Sequence, residues 1–175
     1  AGGGFLCDYD VFPVSQAPSQ ITPPHDGNFT VYCRIKHSKR AGIPCLMSGK
    51  KEEWTRMAYA LLENGGKNSG TESMWSDMLA LIDMRNDHVY DIYDAVLEGQ
   101  DVLLKRGWTA ADCNTTASKE AIHFSHEALK LGYLPPGESA EDRPEIIRRF
   151  LSQWQHLCGS QSAAKQLVLG DADSS

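Results

Sequence analysis

Between residues 34 and 51 the chain carries Arg34, Lys36, Lys39, Arg40, Lys50 and Lys51 without a single Asp or Glu. Tyr32 and His37 are interleaved with them. Phosphates are held by several cations along a track, and an aromatic ring stacks on an unpaired base. The pattern therefore points to a polyanion, whether RNA, single-stranded DNA or an anionic membrane surface, or to the acidic face of a protein. A second copy of this chain would qualify, giving a homo-oligomer. The acidic counterpart lies downstream, where Asp83, Asp87, Asp91, Asp94 and Glu98 form one stripe if residues 73–98 are helical. The same cations have a structural reading, because Lys on an edge strand prevents strand-to-strand aggregation.

A second constellation is Glu120, His123 and Glu127, spaced i, i+3 and i+7, with His126 alongside. E-x-x-H on a helix is half of the carboxylate–histidine pattern of di-metal bundles. The other half is missing, although His88, with Asp91 nearby, could complete a mononuclear site if two helices face each other. Histidines on a half-exposed helix usually only titrate. No cofactor is expected.

Cys45 follows Pro44 and lies between Gly42 and Gly49, where a thiol could meet a His as a nucleophile does. A small buried residue accounts for it equally well. There is no G-x-S-x-G, no G-x-G-x-x-G and no phosphate-binding P-loop, since Ser48-Gly49-Lys50-Lys51 lacks the preceding glycine. The five cysteines, Cys7, Cys33, Cys45, Cys113 and Cys158, are odd in number and contain no C-x-x-C. That favours reduced thiols in a reducing compartment over a disulfide framework. Asn28-Phe29-Thr30 and Asn114-Thr115-Thr116 fit the glycosylation sequon, which keeps a secreted chain in view. Ala1-Gly2-Gly3-Gly4 does not read as a secretory signal.

These side chains need a scaffold. The chain is 175 residues with a net charge of −6, and no run of apolar residues is long enough to span a membrane. Since six cations sit in one short segment, the remainder is more acidic than the whole. Residues 5–12 alternate weakly, as a short strand does. Residues 13–26 hold four prolines and read as a tether. Residues 28–37 alternate strictly, Phe29, Val31, Cys33 and Ile35 against Thr30, Tyr32, Arg34 and Lys36, and 43–47 form a short edge partner.

From Gly49 the pattern becomes helical. Residues 50–64 form a helix stopped by Gly65-Gly66. Residues 73–98 form a long amphipathic rod, broken near Arg85 and Asn86 with Asp87 capping its second half. Further helices are expected over 101–106, 118–131 and about 140–158, with one more turn or two at 161–169. Capping boxes stand at Thr109/Asp112 and Ser139/Asp142.

The fold expected is α+β, mainly α: short amino-terminal strands packed on a carboxy-terminal bundle of five or six helices. A flexible arm over 1–27 would precede one globular domain over 28–170. The function expected is non-enzymatic binding or assembly, as in viral structural or accessory proteins, through the basic segment. The alternatives are a metal-binding helical-bundle enzyme or carrier, and a secreted disulfide-containing effector.

Overall fold

The computed structural model describes residues 3–14, 27–35, 42–70, 75–103, 109–116, 118–132, 134 and 136–170. The chain divides into two compact units. The first comprises Ala1–Val11 and Ser19–Val96, the second Phe12–Pro18 and Leu97–Ser175.

In the first unit the alternating segment forms β3 (Thr30–Arg34), and the chain from Gly42 to Lys50 forms β4 (Gly42–Lys50). They pair antiparallel, with Thr30 opposite Ser48 and Val31 opposite Met47. Strand β1 (Gly3–Cys7) pairs with the other edge of β4, and β5 (Asp91–Ile92) lies parallel to β3. The order is β1-β4-β3-β5. Gly42 is required by the close approach of β3, because a Cβ there would lie 2.6 Å from Val31 Cγ1.

Helices α1 (Lys51–Asn68) and α2 (Asp77–Asp83) supply the rest of this core. Ser76 caps α2 by accepting from Leu79 N–H, which satisfies one of the helix's orphan donors. Phe29, Val31, Met47, Met57, Leu81 and Met84 are buried together. Each such side chain contributes about 1.5–3 kcal/mol through loss of apolar surface to water.

In the second unit β2 (Val11–Pro13), β7 (Ala121–His123) and β6 (Val96–Glu98) form a sheet in the order β2-β7-β6. Around it are α3 (Gly99–Leu103), α4 (Cys113–Thr116), α5 (His126–Leu131) and α6 (Arg143–Gly170). Ile122, Phe124, Leu129, Ile146, Phe150 and Trp154 make the core. A disulfide joins Cys113 to Cys158, 45 residues apart. The expected capping box at Ser139 and Asp142 is present, each capping the other; at Thr109 only half of one forms, Thr109 N–H and Oγ1 each donating to Asp112 Oδ2 at 2.9 Å while Asp112 N–H donates to the Thr109 carbonyl at 3.0 Å.

The expected architecture is therefore corrected. Strands do not sit only at the amino-terminal end of a helical bundle; seven strands in two sheets are distributed along the described chain to residue 123. Residues 3–13, placed within a flexible arm, supply β1 and β2. The long rod over 73–98 does not exist. Helix α2 stops at Asp83, a 3-10 turn covers Met84–Asn86, and the chain then runs extended into β5 and β6. A break was expected at Arg85–Asp87, but Asp87 leads into a turn and not a second helix. Val89, Ile92 and Val96 satisfy helical spacing, yet β-branched residues fit a pleated surface better, and Ile92 gains pairing with Val31.

Residues 118–131 are likewise not one helix. Ala121-Ile122-His123 form a buried strand, and Ser125 starts a new helix by accepting from Ala128 N–H. Among the described residues no helix is long and apolar enough to cross a membrane.

Candidate functional site

The first unit contains a polar hollow of about 250 Å³ where β3 begins, α1 makes its first turns and the chain enters β5. Asn28, Glu53, Arg56, His88 and Asp91 supply its polar groups. Each is positioned by backbone structure. Glu53 and Arg56 are one turn apart on α1. Asp91 is held by its N–H donating to Phe29 O at 2.9 Å, the first rung of the β3–β5 pairing. His88 sits in the left-handed region at φ 51°, where a side chain costs about 1–2 kcal/mol. Such strain persists only when the surroundings impose it, and it concentrates at functional positions.

The hollow's charges are already engaged. Arg56 grips Glu53 with two bonds, Nε to Oε1 at 3.0 Å and NH2 to Oε2 at 2.6 Å, and also donates to Val89 O at 2.8 Å. Glu53 accepts Phe29 N–H at 3.1 Å. Asn28 donates to Asp91 Oδ2 at 3.3 Å. The Arg56 guanidinium holds the Glu53 carboxyl below its ordinary range, and Glu53 raises Arg56 in return. Burial pushes the Tyr90 hydroxyl up; it donates to Leu81 O at 2.8 Å. Bonds to charged groups of this kind are the stronger ones, so the rim is held in one arrangement.

A second hollow of about 190 Å³ lies by Trp75, Asn64 and Asp83. Asn64 is buried and donates to Asp83 Oδ2 at 2.6 Å while its Oδ1 accepts from Trp75 Nε1 at 3.4 Å. This network joins α1 to α2, a structural duty.

The residues singled out from sequence are placed as follows. Tyr32 does not offer a stacking face: it is buried, and its hydroxyl lies 2.8 Å from Ser48 Oγ. Arg34 is half-buried at the end of β3, and Lys50 and Lys51 are exposed where β4 meets α1. Lys36, His37, Lys39 and Arg40 lie outside the described residues. The acidic stripe is dispersed: Asp83 ends α2, Asp87 is in a turn, Asp91 is in β5, Asp94 is in an extended link and Glu98 ends β6.

The metal set is not a helical face either. Glu120 precedes β7, and its carbonyl accepts Val14 N–H. His123 is buried in β7, while Glu127 is exposed on α5. His88 belongs to the first unit. His126, exposed on α5, contacts the Arg143 guanidinium. Cys45, the candidate nucleophile, is fully buried in β4.

Glu53 and Arg56 escaped the sequence reading because an i, i+3 charge pair looks like any solvated helix face. No protein-family model, curated protein or solved structure matches this chain.

Proposed function

We propose that this is a disulfide-stabilised binding protein of an oxidising compartment, recognising a polar segment of a partner protein through the hollow beside Arg56. The observation that carries the reading is the Cys113–Cys158 bridge, both of whose cysteines are buried in the core of the second unit. Such bonds persist where thiols are not kept reduced.

The hollow supports recognition over turnover. Glu53, Arg56 and Asp91 each hold a protein partner already, which makes a preorganised rim that loses little freedom on binding. The basic segment adds less than its composition promised. Lys50 and Lys51 are followed at once by Glu52 and Glu53, so the described part of it offers no unbroken cationic track.

The test is to produce the chain with a secretion signal in an oxidising host and compare it with fully reduced protein. The bridged form should resist urea better. Equal folding and equal stability of the reduced form would remove the ground for the compartment. Retention on immobilised heparin that collapses with salt would restore the polyanion reading.

A further inference from the structure

Cys33 on β3 and Cys45 on β4 are both fully buried, and their sulfurs lie within 4.8 Å of each other. The register explains the approach. Cys33 stands opposite Ile43, and Cys45 is two residues on from Ile43, so the two side chains share one face of the sheet as diagonal neighbours. The ladder shifts register between Val31 and Cys33, and β1 is fastened at the same level, with Asp8 N–H donating to Cys45 O at 2.9 Å.

We propose that Cys33 and Cys45 close a second disulfide when the chain folds in an oxidising medium, cross-linking the two central strands of the first unit. The inference rests on the compartment reading above. The chemistry is thiol–disulfide exchange with a small-molecule disulfide of the oxidised glutathione class. One thiolate attacks a glutathione sulfur and releases one glutathione thiol. The second thiolate then attacks the chain sulfur of that mixed disulfide and releases the other. Two protons pass from the cysteines to the departing thiols, and the cysteine pair loses the two electrons that glutathione disulfide gains.

In the folded state the two thiols interact, and that contact and burial push Cys45 far above the ordinary thiol range. Both sulfurs are fully buried and out of reach of a soluble disulfide once the sheet is formed, so the bond forms before β3 and β4 close. A bond of about 2.0 Å is shorter than the present separation; a chain that cyclises early adjusts the strands as they pair.

The test is refolding of the whole chain from denaturant in a glutathione redox buffer, followed by alkylation under denaturing conditions and a non-reducing peptide map. Cys7, Cys33 and Cys45 are thiols in this structure; after such refolding only Cys7 should be alkylated, and a Cys33–Cys45 cross-linked peptide should appear. The Cys7→Ser variant, changed at an exposed site, should leave no alkylatable thiol. Native reduced protein given the same buffer without denaturant should keep both thiols. If Cys113–Cys158 forms but Cys33 and Cys45 are alkylated, the inference falls and the compartment reading stands. If neither bond forms, both fall.

Discussion

Trp154 donates its indole N–H to Thr116 Oγ1 over 3.0 Å, and Thr116 Oγ1 in turn donates to the Cys113 carbonyl at 3.0 Å. Trp154 and Cys158 are one turn apart on α6 and share a face, and Cys113 and Thr116 belong to α4. The same two helices are thus joined by a buried hydrogen bond and by a covalent one. The bridge fastens α4, which at four residues could not be held by its own length, to the long α6.

Removing the bridge with Cys113→Ala and Cys158→Ala should cost about 4 kcal/mol, the loop-closure value for a separation of this size. Urea unfolding measures it. Reductant should cost wild-type protein a similar stability, and leave the double variant unmoved, when both are prepared with Cys33 and Cys45 as thiols. A response of the variant to reductant would place the effect elsewhere.

Tyr32→Phe tests the reassignment of the supposed stacking residue. The ring stays buried, but Ser48 Oγ loses the partner it has at 2.8 Å. Leaving a buried hydroxyl unsatisfied costs about 1–3 kcal/mol. Retention on immobilised heparin should be unchanged. Wild-type stability together with lost retention would show that the ring faces solvent after all.

Local chemistry was legible in the sequence and long-range pairing was not. The strict alternation around Val31 marks β3, and the caps at Thr109 and Ser139 mark turns, because each rule acts within a few residues. The extended course of Asp91–Ile92 depends on β3, far upstream in the chain, and nothing near Ile92 announces it. Periodicity then misleads, since Val89, Ile92 and Val96 suit a helix face as well as a strand. Gly65-Gly66 misled in the opposite sense, reading as a stop inside a helix that continues to Asn68. Five cysteines cannot reveal their own partners, so the Cys113–Cys158 bridge had no sequence signal.

The candidate site shows the same limit. His88 was singled out as a metal ligand, yet the left-handed backbone that makes it distinctive is a property of the turn.

Acid should weaken the Glu53–Arg56 clamp. The folded carboxyl is held below its unfolded value, near 4.5. Its contribution is therefore complete above that value and is lost as pH falls through the lower folded one. Glu53→Gln keeps an acceptor for Phe29 N–H but removes the charge, and should cost roughly 1 kcal/mol at neutral pH. The gap between wild type and variant, followed by urea unfolding, should narrow as pH drops below about 4. A gap independent of pH would mean that the charge is not what stabilises the pair.

Gly65 and Gly66 give a paired test of why α1 tolerates two glycines in its last turns. Glycine in a helix costs about 0.5–1 kcal/mol relative to alanine, so replacing either should help if space allows. At Gly66 nothing lies within 4 Å of the added methyl, and Gly66→Ala should gain about that amount. At Gly65 the methyl would sit 3.1 Å from Trp75 Cε2 and 3.2 Å from Cζ2. The indole would have to move off the helix and stretch its bond to Asn64, so Gly65→Ala should gain nothing or lose stability. The NMR signal of the Trp75 indole N–H, distinct from those of Trp54, Trp108 and Trp154, reports the movement directly: it should shift in Gly65→Ala and stay fixed in Gly66→Ala. Equal stabilisation by both substitutions, without a spectral change, would show that Trp75 does not rest on α1.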